Sequence, residues 1–266
     1  MNRILVPVDF SQTSLNALHY AIHLFQSEPC EITVLHVFSS NPTMMALKNI
    51  DQMILEDSQR SLDKLMSEVH QKYPDANLKP KIMKDHAVSA IASLGDSGDY
   101  DYIVMGTKGA SGLKEVFLGS VAGGVMSKTV APVIVVPDGH GFEPLNEIVI
   151  ALSESPESGK EVEDPLRKIA KMHHSKIKAL HIGDEKPQEM ELALADISDL
   201  RPSVDYTFGS GDTHKDINDY LIENKSRMLC LIRGKKGFFN RLFKESVTLK
   251  ETFDSPVPLL ILHDAV

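Results

Sequence analysis

One series of short apolar runs is written twice along this chain. ILVPV, ITVLHV, LKPKIM, YIVM and PVIVV follow one another in the first half, each bounded by turn residues and separated by stretches of helical periodicity. Leu15, Leu18, Ile22 and Phe25 mark one face of a first helix. Met53, Ile54, Leu62, Leu65, Met66 and Val69 mark a longer one from about Asp51 to Lys72. After the turn-rich connector PDGHGFEPLNE the pattern begins again. NRILVPVDFS is echoed by NEIVIALSES, EITVLHVF by KIKALHIG, DYIVMGTKG by RMLCLIRGKKG, and GSVAGGVMSKTVAPVIVVP by ESVTLKETFDSPVPLLILH.

Strands that alternate with helices build parallel sheets covered on both faces. The expected fold class is therefore α/β, with two tandem Rossmann-like or flavodoxin-like domains, residues 1–140 and 141–266. Each is a mostly five-stranded parallel sheet flanked by helices. A length of 266 residues with 42% hydrophobic content suits two modest cores. The net charge of −9 repels nucleic-acid backbones and anionic membranes, so neither is expected as a partner. Only two cysteines occur, Cys30 and Cys230, each beside or inside an apolar run, which points to a reducing compartment. The opening MNRILVPVDF shows neither a leader-type apolar region nor a small-residue cleavage site, and a cytoplasmic location is expected.

The segment GTKGASGLKEVFLGSV, residues 106–121, links the fourth apolar run to the next helical stretch. In an open parallel sheet, ligands settle at the carboxyl ends of the strands, and a helix N-terminus offers unpaired N–H groups to an anion. Gly106, Gly109 and Gly112 could equally be turn residues of positive φ, with Ser120 a plain helix cap. Gly123 and Gly124 fall inside the helix, where each costs about 1 kcal/mol relative to alanine, so close packing is expected there. Asp9 ends the first apolar run. It is either a helix cap, as Ser11 could be, or a ligand carboxylate.

Taken together, the spacing Gly106-x2-Gly109-x9-Gly119-Ser120 resembles the phosphate-binding signature of the universal stress protein family, G-x2-G-x9-G-[S/T]. ILVPVDFS, LHV and APVIVVP are family-like and stand in the expected order. The resemblance covers the first repeat and implies an ATP site. In it, Asp9 lies near the ribose hydroxyls and Val37 lies against adenine. Gly106, Gly109, Gly119, Ser120 and the backbone of Val121 form the phosphate cradle. Lys108 neutralises charge, as Lys114 could, and Mg²⁺ accompanies the nucleotide where phosphate brings it. It further implies that PVIVV and PLLIL pair along an edge, joining the halves as an internal pseudo-dimer, with a homodimer as a further level of assembly. The implied function is a nucleotide-dependent regulatory role in stress response, read by a partner protein not yet identified. A slow ATP hydrolase or phosphotransfer enzyme and a ligand-free interaction scaffold are the alternatives.

The second repeat departs from the signature. Ser153 stands opposite Asp9, and Gly234 and Gly237 are retained, but Glu245 takes the place of Gly119 before Ser246. A carboxylate there would repel phosphate, so this half is not expected to bind ATP in the same way. Arg233, Lys235, Lys236, Arg241 and Lys244, with Phe238 and Phe239 among them, form a basic run that reads as a solvated surface or as a site for another anion or partner. His19 and His23 have a helical metal-ligand spacing but no third ligand nearby, and His36 and His181 occupy equivalent strand ends. Neither G-x4-G-K-[ST] nor a G-x-G-x-x-G after the first strand is present, and no catalytic residues or metal ligands are assigned.

Overall fold

The computed structural model describes residues 1–39, 50–107, 119–151, 162–183, 194, 197–233 and 255–264. Ten strands form one sheet: β1 (Asn2–Pro7), β2 (Cys30–Phe38), β3 (Leu78–Lys84), β4 (Tyr102–Gly106), β5 (Val133–Val136), β6 (Glu147–Ala151), β7 (Lys176–Ile182), β8 (Ser203–Thr207), β9 (Leu229–Arg233) and β10 (Leu259–His263). Their spatial order is β3-β2-β1-β4-β5-β10-β9-β6-β7-β8. Every described pairing is parallel except that of β5 with β10, where Val133, Ile134 and Val135 face Ile261, Leu260 and Leu259. This is the edge pairing that the resemblance implied. A pseudo-two-fold axis passes between Ile134 and Leu260, because exchanging the two strands maps the register onto itself.

The strand period of two explains how both faces of the sheet are buried. Ile4, Val6, Tyr102, Val104, Ile134 and Val136 point into one core, while Leu5, Ile103, Met105, Val133 and Val135 point into the other. The first core is covered by α1 (Gln12–Phe25), α2 (Ile50–Lys72) and α5 (Asp164–His173). The second is covered by α3 (Ala87–Gly95), α4 (Ser120–Lys128) and α6 (Thr213–Glu223). Each core takes residues from both halves of the chain, with Ile4 beside Ile148 in one cluster and Leu5 with Val149 in the other. Among the described residues no helix is long and apolar enough to cross a membrane.

Helix α1 begins at Ser11, whose hydroxyl accepts from Ser14 N at 3.2 Å. The long helix expected from Asp51 to Lys72 spans Ile50–Lys72, but its apolar stripe is only partly used. Leu62, Leu65 and Val69 are buried, whereas Met53 is 65% exposed. The first turns of α2 therefore stand clear of the sheet, and the Asp51–Lys84 ion pair ties them to the end of β3.

A cluster of rings fills the junction of α1, the end of α2, the connector and α5. Phe142 of the connector stacks on His23 at 5.9 Å and approaches Tyr20 at 5.5 Å and His173 at 5.8 Å. The Tyr73 hydroxyl meets His23 Nε2 at 3.2 Å, and His173 Nε2 donates to Leu24 O at 2.9 Å. Burial lowers the pKa of His19, His140 and His173. Lys72 and His23 act in the same direction on His19, and Arg227 does so on His140, against Glu143.

Below the ordinary histidine value of 6.5 the unfolded chain then binds more protons than the folded one, so stability falls as pH drops through that window. Denaturant melts of the wild type are expected to lose stability steadily from pH 7 to about pH 5. A His19→Gln/His140→Gln variant is expected to show a shallower slope. Parallel slopes for the two proteins would remove these imidazoles as the source.

Candidate functional site

The chain crosses from β1 to β2 and β3 on one side of β1, and the later strands β4 and β5 lie on the other. The reversal leaves a crevice at the carboxyl ends of β1 and β4. A cavity of about 290 Å³ occupies this position. Its walls come from Pro7 at the end of β1 and Val8 and Asp9 after it, Ser14 on α1, Leu35 and Val37 on β2, Ala87 and Ile91 on α3, Met105 to Thr107 at the end of β4, and Gly119 to Ala122 at the start of α4. The volume sits just below the range usual for small-molecule sites, about 300–1,000 Å³.

Of the residues expected to bind nucleotide, Asp9, Val37, Gly106, Gly119, Ser120 and Val121 all line this cavity. Lys108 and Gly109 lie outside the described residues. The sequence did not single out Met105, Ala87 or Ile91, which complete the apolar wall. Met105 was readable as the last apolar residue of its strand, but nothing in the spacing of Ala87 and Ile91 announces that α3 leans over β2.

Of the two readings of Asp9, the structure bears on the cap. Ser11, not Asp9, caps α1. Asp9 Oδ1 instead accepts from Ser11 N at 3.1 Å and Ser11 Oγ at 2.5 Å, and Asp9 N donates to Ser14 Oγ at 3.3 Å. These bonds orient an exposed carboxylate at the mouth of the cavity. Phe10 then turns the chain with a φ of 64°, a conformation costly for a bulky residue, and its ring packs 4.5 Å from that of His36. His36 Nδ1 reaches Val8 O at 2.9 Å and braces the end of β1.

The opposite wall is the N-terminus of α4. Gly119 is its cap residue, with φ −53° and ψ 150°, and being glycine it has no side chain with which to cap the helix. Gly119 N donates to Thr107 O, and the first helical turn closes with Gly123 N on Gly119 O at 2.9 Å. The amides of Ser120, Val121 and Ala122 precede that ladder, so the helix presents N–H groups and the positive end of its dipole beside the cavity. An anion is favoured at this wall, and a group with hydroxyls is favoured near Asp9.

The glycines prove to have unequal reasons. A Cβ on Gly106 would lie 2.7 Å from Thr13 Cγ2 and 2.9 Å from Thr13 O, so this residue is bare because α1 begins against it. A Cβ on Gly124 would lie 2.8 Å from Val88 Cγ2, which is the close α3–α4 packing expected to offset its helix penalty.

In the second half the same shift that carries Val133 onto Leu259 carries Gly106 onto Ile232. The sequence comparison sets Gly234 against Gly106, but strand register places an isoleucine there, packed on the first core. Ser153, Gly234, Gly237, Glu245 and Ser246 lie outside the described residues, as does the basic run after Arg233. His19 and His23 both pack against the Tyr73 ring, at 5.4 and 5.3 Å. Among the described residues no group of three or more His, Cys, Asp or Glu is placed to hold a metal.

Gly106→Ala is expected to cost about 1–3 kcal/mol of stability in denaturant melts. Adding Thr13→Ser is expected to recover little, because the Thr13 carbonyl remains in the way. Full recovery in the double variant would show that only the methyl group matters.

Comparison with known proteins extends these observations. Residues 1–137, just over half of the chain, match the pattern of the universal stress protein family. Universal stress protein MJ0531 of Methanocaldococcus jannaschii is 27% identical over 139 residues, which cover 50% of this chain and 81% of that protein. Universal stress protein YxiE of Bacillus subtilis is 25% identical over 145 residues, covering 51% of this chain and 98% of that one. The crystal structure of a universal stress protein from Archaeoglobus fulgidus aligns over 99% of both chains at 24% identity with a TM-score of 0.72, so the ten-strand architecture as a whole has a solved counterpart. With the pattern match and the shared fold in agreement, the chain belongs to the universal stress protein family.

Proposed function

We propose that the first half, residues 1–140, binds ATP in the β1–β4 cavity and acts as a nucleotide-dependent switch in stress response, while residues 141–266 form a degenerate partner. The observation that carries this reading is the pairing of unlike walls across one cavity. The lining includes the Asp9 carboxylate and the N-terminus of α4, together with the apolar side chains of Leu35, Val37, Ile91 and Met105. A nucleotide has the matching order of parts: a flat apolar base, two ribose hydroxyls and an anionic tail.

In this assignment Val37 packs against adenine and Asp9 accepts from the ribose. Gly119, Ser120 and Val121, with Gly106, Lys108 and Gly109, surround the phosphates. Mg²⁺ would enter on the phosphate oxygens. Nucleotide binding acts by differential affinity for two states of the surface around the start of α4, and a regulatory protein reads that surface. The free thiols of Cys30 and Cys230 accord with a cytoplasmic setting.

Calorimetric titration of ATP into the full chain tests the assignment. The wild type is expected to saturate with one nucleotide per chain. Gly119→Glu, which puts a carboxylate at the helix start, is expected to weaken binding by about tenfold or more, equivalent to ~1.4 kcal/mol. Indistinguishable titrations for the two proteins would show that the site is elsewhere.

A further inference from the structure

Helix α4 forms one wall of the cavity with its first turn, and what fixes its last turn comes partly from the other half of the molecule. The helix has only nine residues, about 13 Å of rise, and carries Gly123 and Gly124 in its middle. A segment of that length and composition is not stable alone, so its position depends on tertiary ties. Its C-terminal end has two. Asp96 Oδ1 accepts from Thr129 Oγ1 at 2.6 Å and from Val130 N at 2.8 Å. Arg233, the last residue of β9, donates Nη1–H to Met126 O.

Met126 O is one of the four final carbonyls that an α-helix leaves without an internal partner. A guanidinium there satisfies the carbonyl and sets positive charge at the negative end of the helix dipole. The backbone of Arg233 is itself held, because it pairs with His263 on β10 and its carbonyl accepts from Asp264 N at 3.0 Å. The residue at the mirrored strand position is of a different kind. The shift that carries Val133 onto Leu259 carries Thr107 onto Arg233, and a threonine lacks both the reach and the charge.

We infer that Arg233 is a positioning residue for the nucleotide site of the opposite half: through Met126 O it sets where α4 sits and hence where the Gly119–Val121 wall meets the ligand. This inference rests on the reading of the cavity as a nucleotide site. It gives the second repeat a definite role. Having an isoleucine where the first repeat has Gly106, it supplies from its own strand end a charged brace for its neighbour's cradle.

The test uses the full chain with Arg233→Met, which keeps an aliphatic stem and removes the donor, and with Arg233→Lys, which restores a cationic donor. ATP affinity is read by calorimetry and amide hydrogen exchange is followed in the nucleotide-free protein. Arg233→Met is expected to raise the ATP Kd about fivefold or more and to speed exchange within residues 120–128 while leaving β5 and β10 protected. Arg233→Lys is expected to recover part of both effects.

Exchange in α4 that does not change, exchange that rises equally throughout the chain, or a loosened α4 with unchanged ATP affinity would each overturn the inference. If the wild type does not bind ATP at all, the nucleotide reading fails. The α4 exchange pattern then decides by itself whether Arg233 holds that helix.

Discussion

The antiparallel pairing of β5 with β10 is the constraint on which the rest of the molecule depends. Two five-stranded parallel arrays would each end in a short, fully apolar strand, VIVV in one case and LLIL in the other. Left open, such an edge invites association with any other strand. Paired about the Ile134–Leu260 axis, the edges disappear and both faces of a single sheet become continuous across the junction. Ile134 and Leu260 have no solvent exposure, and burying each contributes about 1.5–3 kcal/mol. Helix α5 then reaches over the first half, where the Tyr102 hydroxyl donates to Pro165 O at 2.8 Å and Lys168 pairs with Asp101 at 3.4 Å. Neither half is closed without the other.

Near-symmetry at the centre of the sheet makes the asymmetry at its rim informative. The first half ends β4 with a bare residue on which α1 can begin, and the second half has Ile232 at the corresponding place. The cavity of the first half is thus a consequence of close backbone approach on three sides: α1 against Gly106, α3 against Gly124, and α4 opening at Gly119. Chemistry follows from that geometry. Where two helices can sit this close to a strand end, amides and a carboxylate come to face one small volume.

Much of this could be read before any coordinates. The repeated apolar runs located nine of the ten described strands, and those inside the sheet stand out because a strand buried on both faces is nearly all apolar. Six of the eight candidate residues line one cavity because topology alone dictates where β1 and β4 diverge. Strand β8 escaped notice, since SVDYT at the sheet edge is half polar and shows no such run. The buried stripe of α2 was overextended to Met53, for periodicity records which side of a helix is apolar but not how far the sheet beneath it extends.

Contacts between segments distant in sequence left no signal at all. His173 and Leu24, Phe142 and His23, and Arg233 and Met126 meet only after the halves have docked. The reason for Gly106 was likewise hidden, because its spacing suggests a ligand while its Cβ position meets Thr13. Glycine spacing alone does not distinguish a backbone that must approach a ligand from one that must approach its own helix.

A crystal structure of the full chain grown with excess ATP and Mg²⁺ measures the central claim most directly. The account expects one nucleotide per chain, its base beside Val37 and its phosphates against the first amides of α4. Density in the second half, or phosphates directed away from Gly119 and Ser120, would contradict it.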